Sequence, residues 1–62
     1  MPIVTIQVTG TPLTQEQKSA LISRTTDVIV EVLNKKPEST RVLIEELPPE
    51  NWGIGGKPMS QL

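Results

Sequence analysis

The sequence predicts an α+β protomer of β-α-β order, with two parallel strands whose sheet is completed only by oligomerisation. Three observations lead there. Two short stretches of strand character, residues 2–9 and 40–46, flank one long helical pattern that opens at Thr14. Breakers stand at the junctions, Gly10 and Pro12 before the helix and Pro37 after it. The chain has only 62 residues, with no Cys for a disulfide and no His or Cys for an ordinary zinc site. A core this small needs a staple, and self-association is the one that remains.

Each element has a local reason. In residues 2–9, Val4, Ile6 and Val8 share one face while Thr5, Gln7 and Thr9 take the other. Pro2 fits a strand only at its first position, where the missing N–H costs the ladder least. Thr14, with Gln17 three residues on, has the form of a capping box that satisfies orphan backbone donors. Leu21, Thr25, Val28, Ile29, Val32 and Leu33 then recur at helical spacing, with Ile22 at the edge of the stripe. Glu31 and Lys35 are expected to pair at i,i+4 on another face. Asn34, Lys35 and Lys36 suit a C-terminal turn, and Pro37 ends it. About 21 helical residues reach about 31 Å, enough to span a strand of about 26 Å.

In residues 40–46, Arg41, Leu43 and Glu45 face one way and Val42 and Ile44 the other. Strand, long helix and strand imply a parallel pair joined by a right-handed crossover. Two strands make no stable sheet alone, so other subunits are expected to cover the free edges and the second face. Residues 47–62 read as loop and tail, with a short hairpin near Gly53–Gly56. With no repeat or linker in view, residues 1–62 are read as a single domain.

Charge and hydropathy exclude whole classes of partner. Six Lys plus Arg against seven Asp plus Glu give a net charge of −1. The basic residues Lys18, Arg24, Lys35, Lys36, Arg41 and Lys57 are scattered, and Trp52 is the only aromatic available for base stacking, so no nucleic-acid partner is expected. The longest apolar runs are three residues, as in Val28-Ile29-Val30 and Val42-Leu43-Ile44, so no membrane partner is expected either. The N-terminus lacks the charged and apolar regions of a signal peptide, and a cytoplasmic location is the expectation.

Three residues stand out chemically. Methionine is normally trimmed when the next residue is small, and Pro2 would then become a secondary amine in a chain with no His or Cys to act as base. An α-amino group titrates nearer neutrality than lysine, and apolar surroundings with a nearby cation would disfavour its charged form further. Such an amine is a competent general base at pH 7, although proline is equally at home as the first residue of a strand. Arg41 lies on an otherwise apolar strand, where its fork of donors would suit a carboxylate or an enolate oxygen. A snorkelling role, or a pair with another subunit's glutamate, explains it as well. Trp52 precedes Gly53-Ile54-Gly55-Gly56 and suits either a pocket wall or a subunit interface. Glu45 and Glu46 are adjacent on a strand and point opposite ways, so they form no paired-carboxylate site.

Taken in order, Pro2-Ile3-Val4-Thr5-Ile6, Glu16-Gln17-Lys18, Arg41-Val42 and Trp52-Gly53-Ile54-Gly55-Gly56 resemble the 4-oxalocrotonate tautomerase family. The resemblance runs over essentially the whole chain, with about one extra residue in the Thr9–Leu13 loop. It implies a β-α-β protomer that pairs into dimers, three of which form a homohexamer. It also implies a keto-enol isomerase that uses no metal or organic cofactor and acts on a small 2-oxo or 2-hydroxy acid. By resemblance, Pro2 is the catalytic acid–base. Arg41 of a neighbouring subunit holds the carboxylate and carbonyl oxygen of the substrate, and Trp52 takes the place of a hydrophobic wall residue. Dehalogenase, hydratase or decarboxylase chemistry on the same scaffold is the enzymatic alternative, and an oligomer that retains Met1 is the non-catalytic one. One departure stands out. The family's named enzyme has a second arginine just after the first strand for the far carboxylate, whereas Thr9-Gly10-Thr11-Pro12-Leu13 contains no cation. Lys18 or Arg24 would supply that charge only if packing across subunits brought one of them to the pocket.

Overall fold

Proline has no N–H to give a ladder, and the first strand accordingly begins after Pro2. In the computed structural model, which describes Met1–Leu62, strand β1 is Ile3–Thr9. Strand β2 is Arg41–Leu47 and pairs with β1 in parallel, from Ile3 opposite Arg41 to Thr9 opposite Leu47. Both strands start one residue later than expected. Thr40 is drawn out of the second by a 3-10 turn at Pro37–Ser39, where its N–H bonds the Pro37 carbonyl at 3.1 Å and its hydroxyl bonds the Lys36 carbonyl at 3.1 Å.

The register sorts the side chains by face. Val4, Ile6 and Val8 lie beside Val42, Ile44 and Glu46, and the helix α1, Gln15–Leu33, covers this face. Ile3, Thr5 and Gln7 lie beside Arg41, Leu43 and Glu45 on the other face, which the chain leaves open. The start of α1 follows its local chemistry. The Thr14 hydroxyl accepts from the Gln17 N–H at 3.1 Å, and the Gln17 side-chain oxygen accepts from the Thr14 N–H at 2.9 Å.

The end of α1 differs from expectation. Asn34 takes the left-handed conformation (φ 55, ψ 46) and caps the helix. Lys35 therefore lies outside α1, the i,i+4 geometry with Glu31 does not exist, and the ion pair that forms instead is Lys18–Glu46.

The apolar stripe is only half covered. Leu21, Thr25 and Ile29 are partly buried, while Val28, Val32 and Leu33 remain 56%, 72% and 51% exposed. The sheet has only two strands, a surface about 10 Å across, and no further strand lies beside it to cover the rest of the stripe. No hydrophobic side chain is fully buried in the chain by itself.

After β2 a 3-10 turn at Pro49–Asn51 leads to β3, Gly53–Ile54, and β4, Lys57–Pro58, an antiparallel hairpin as expected. Its turn places Gly55 and Gly56 at φ 58 and 87, the pair of positive values that a tight hairpin requires of its central residues. No helix is long and apolar enough to cross a membrane.

Candidate active site

Parallel pairing brings Pro2 and Arg41 to the same end of the sheet. The Arg41 N–H donates to the Pro2 carbonyl at 2.9 Å, just before the first ladder pair. Arg41 belongs to the open face with Ile3 and Leu43, which are 66% and 47% exposed. One of its guanidinium donors, Nη1, bonds the Glu38 carbonyl at 2.9 Å, which leaves most of a five-donor group unengaged. Pro2 is half-buried, and its nitrogen is an amide, carrying no proton, for as long as Met1 is attached. Met1 itself is 79% exposed.

Trp52 is on a separate element. β2 carries the chain about 20 Å to the other end of the sheet before the hairpin begins. There Trp52 is held by turn hydrogen bonds, its N–H to the Pro49 carbonyl at 3.2 Å and its carbonyl from the Met59 N–H at 2.7 Å. It is half-buried on this arm, between two 3-10 turns that contact each other. Within one chain, therefore, Pro2 and Arg41 come together and Trp52 stays apart.

Glu45 and Glu46 do face opposite ways. Glu45 accepts from the Gln7 amide at 3.2 Å on the open face. Glu46 turns toward α1, where one carboxylate oxygen is 2.7 Å from the Lys18 ammonium and the other accepts from the Leu13 N–H at 3.0 Å. The Lys18 hydrogen bond, and then that of Leu13, hold the Glu46 carboxyl below the ordinary carboxylate range against a smaller desolvation effect. This three-way contact pins the loop before the helix onto the end of β2. Sequence reasoning missed it, although an acid in phase with Val42 and Ile44 on the helix-facing side was the available signal.

The principal concavity is elsewhere. A groove of about 320 Å³ runs between the β1–α1 loop and the first three turns of α1, lined by Leu13, Gln17, Ala20, Leu21 and Arg24. None of Pro2, Arg41 and Trp52 lines it. No group of three or more acidic side chains converges in a way that could hold a metal ion.

Comparison with known proteins identifies the family. The family model described as "Tautomerase enzyme" matches residues 2–61, from Pro2 through Arg41 and Trp52 to the end of the last turn. The chain is 43% identical over 61 residues to "Probable tautomerase K2" of Dickeya dadantii (strain 3937), covering 98% of this chain and 91% of that one. It is 40% identical over 48 residues to the 2-hydroxymuconate tautomerase of Comamonas testosteroni, covering 77% of this chain and 76% of that protein. Among solved structures it is similar to a heterohexamer 4-oxalocrotonate tautomerase from Chloroflexus aurantiacus J-10-fl, with a TM-score of 0.87 at 26% identity, covering 100% of this chain and 98% of that one. A β-α-β chain with parallel strands, matched by that family model over almost its full length, belongs to the tautomerase family.

Proposed function

We propose that this protein is a cofactor-independent isomerase that interconverts the enol and keto forms of a small 2-oxo acid. Met1 is removed, and the freed Pro2 amine takes the proton from the 2-hydroxyl of the enol. As the C2 oxygen becomes a carbonyl, electrons move along the conjugated chain, and the ammonium returns a proton to carbon. Atoms balance without any other reactant. Arg41 of a neighbouring copy forks onto the carboxylate and the C2 oxygen, where negative charge develops. Trp52 closes an apolar wall that keeps water out and disfavours the charged amine.

The observation that carries this reading is the family match, which begins at Pro2 and spans Arg41 and Trp52. Further support comes from Arg41, which stands on an uncovered sheet face with unengaged donors and is free to serve another copy. The working unit is a homohexamer. Exposed Ile3, Leu43, Val28 and Val32 support self-association, and the Chloroflexus relative, a heterohexamer, supports the number six but not the identity of the chains.

The test is an enol-to-keto assay on protein whose intact mass shows that Met1 is gone, run beside a form that keeps an N-terminal extension before Pro2. Turnover by the trimmed protein and none by the extended one is expected. Equal rates from the two would exclude the amine as the base.

A further inference from the structure

Arg41 is held at two points, and only one of them is a strand contact. Its N–H donates to the Pro2 carbonyl at 2.9 Å, and its Nη1 donates to the Glu38 carbonyl at 2.9 Å. The second acceptor is a backbone oxygen and not the Glu38 carboxylate, since the ion pair of this chain is Lys18–Glu46. A neutral acceptor restrains the guanidinium without compensating its charge. It also leaves Nε and Nη2 without partners, and these share the edge that forks onto a carboxylate. The Glu38 carbonyl belongs to the 3-10 turn Pro37–Ser39, and Thr40 closes that turn. The Thr40 N–H donates to the Pro37 carbonyl at 3.1 Å, and its hydroxyl donates to the Lys36 carbonyl at 3.1 Å. Ser39 sends its hydroxyl to the same Lys36 oxygen at 2.9 Å, but Ser39 is exposed and water can replace it there. Thr40 is the one buried residue of the chain, at 9% exposure. Its backbone is extended (φ −94, ψ 131), so its side chain takes the helix-covered side with Val42, opposite to Arg41.

We propose that Thr40 is a positioning residue for Arg41: it fixes the turn whose Glu38 carbonyl aims the guanidinium, so that an anion meets the Nε and Nη2 edge. Facing the helix, Thr40 does not touch a substrate on the open face and acts only through Arg41. An arginine standing free on an open face samples many rotamers, and ordering it opposes binding. A tether made before the substrate arrives removes part of that cost. The hydroxyl is the group that matters. Valine at position 40 keeps the shape and the strand preference but loses the bond to Lys36, which leaves the turn and its Glu38 carbonyl looser. The catalytic consequence rests on the proposed isomerase reading; the tether itself does not.

Two measurements test it, on protein of wild-type mass in solution. The first is turnover of the enol of phenylpyruvate. Thr40→Val should lower kcat about fivefold or more and change KM by less than about twofold. A loosened guanidinium still finds the carboxylate but is less well aimed at the oxygen where charge develops. Thr40→Ser, which keeps the hydroxyl, should retain roughly half of the wild-type kcat or more. Thr26→Val is the matched control, because the Thr26 hydroxyl also donates to a carbonyl four residues back, that of Ile22 at 2.7 Å. It should leave kcat unchanged. Wild-type kcat in Thr40→Val, or an equal loss in Thr26→Val, overturns the positioning role. The second measurement is NMR of the Arg41 side chain, independent of turnover. Nη1 and Nη2 should give separate resonances in wild type and merge toward a single averaged signal in Thr40→Val. Averaged signals in wild type overturn the tether, whatever Thr40→Val does to folding, and so do identical spectra from the two proteins. Phenylpyruvate should shift Nε–H and Nη2; a shift confined to Nη1 overturns the assignment of the edge. If Thr40→Val releases Arg41 in the spectra while wild type turns over no enol, the tether stands and the isomerase reading fails.

Discussion

Val32 is 72% exposed on the chain and sits one turn from Val28, at 56%, so replacing it with glutamate separates a free helix surface from a covered one. On a true surface the change lies within about 0.5 kcal/mol, and glutamate is the better helix former. Under another copy, the exposed part of Val32 contributes about 1–2 kcal/mol of burial, and an unpaired carboxylate there adds several more. The chain's shape favours the second case. Its radius of gyration is 14.5 Å against about 11 Å for a compact chain of this length. Its accessible surface is 4826 Å², roughly 900 Å² more than a 6.8 kDa monomer should expose. Wild type should therefore show a light-scattering mass near six times 6.8 kDa, and unfolding should coincide with dissociation. For six chains parting in one step, each tenfold dilution removes about 1.1 kcal/mol per chain. With an unfolding entropy of about 0.13 kcal/mol/K per chain, Tm should drop by about 8 °C per decade, against about 5 °C for a dimer and nothing for a monomer. Val32→Glu should lower both mass and Tm at micromolar concentration. A 6.8 kDa species with a concentration-independent Tm, indifferent to Val32→Glu, would refute the reasoning.

Other changes probe single contacts. Pro2→Ala should leave the assembly intact and lower kcat/KM at least ~100-fold, with residual turnover because alanine keeps a primary amine; near wild-type rates would remove the proposed base. Glu46 has a depressed pKa when folded, so its contribution is present above the unfolded carboxylate range near 4.3 and is lost as pH falls through the folded value. The Tm of wild type should accordingly fall more steeply with acid below about pH 4.5 than that of Glu46→Gln, and parallel curves would show that Lys18 and Leu13 do not hold it. Thr14→Ala should cost about 1 kcal/mol at fixed chain concentration and Thr14→Ser much less, since the hydroxyl to Gln17 is the cap; equal losses would point to packing instead.

What was legible in the sequence was local or periodic. The capping box needs only Thr14 and Gln17, three residues apart, and it formed as read. The sorting of Val42 and Ile44 from Arg41 and Leu43 follows from a period of two, and parallel pairing follows from the long helix between strands. The one-residue shift of β2 was not legible, because it depends on Thr40 being captured by carbonyls of the preceding turn. Asn34 ended the helix early by adopting a left-handed cap, one of several residues there with C-terminal character. Lys18–Glu46 spans 28 positions and exists only once α1 lies on the sheet. Glu45 and Glu46 were correctly placed on opposite faces, yet which of them would meet a cation could not be read from spacing alone.

The uncovered stripe and the incomplete site have one physical cause. The two-stranded sheet leaves part of the α1 stripe uncovered, and it leaves Ile3, Leu43 and the Arg41 guanidinium on a face with nothing above it. An amine that serves as base near neutral pH needs its charged form disfavoured by apolar cover, and an arginine stabilises an enolate most where water is excluded. One chain offers neither condition at Pro2 or Arg41, since its own tryptophan leaves on the hairpin arm. Covering the exposed apolar residues with further copies would meet the need for a core and the need for a dry site at once. In the proposed reading, assembly is therefore the step that makes Pro2 a base, so turnover per chain should be lost together with the hexamer on dilution and not after it.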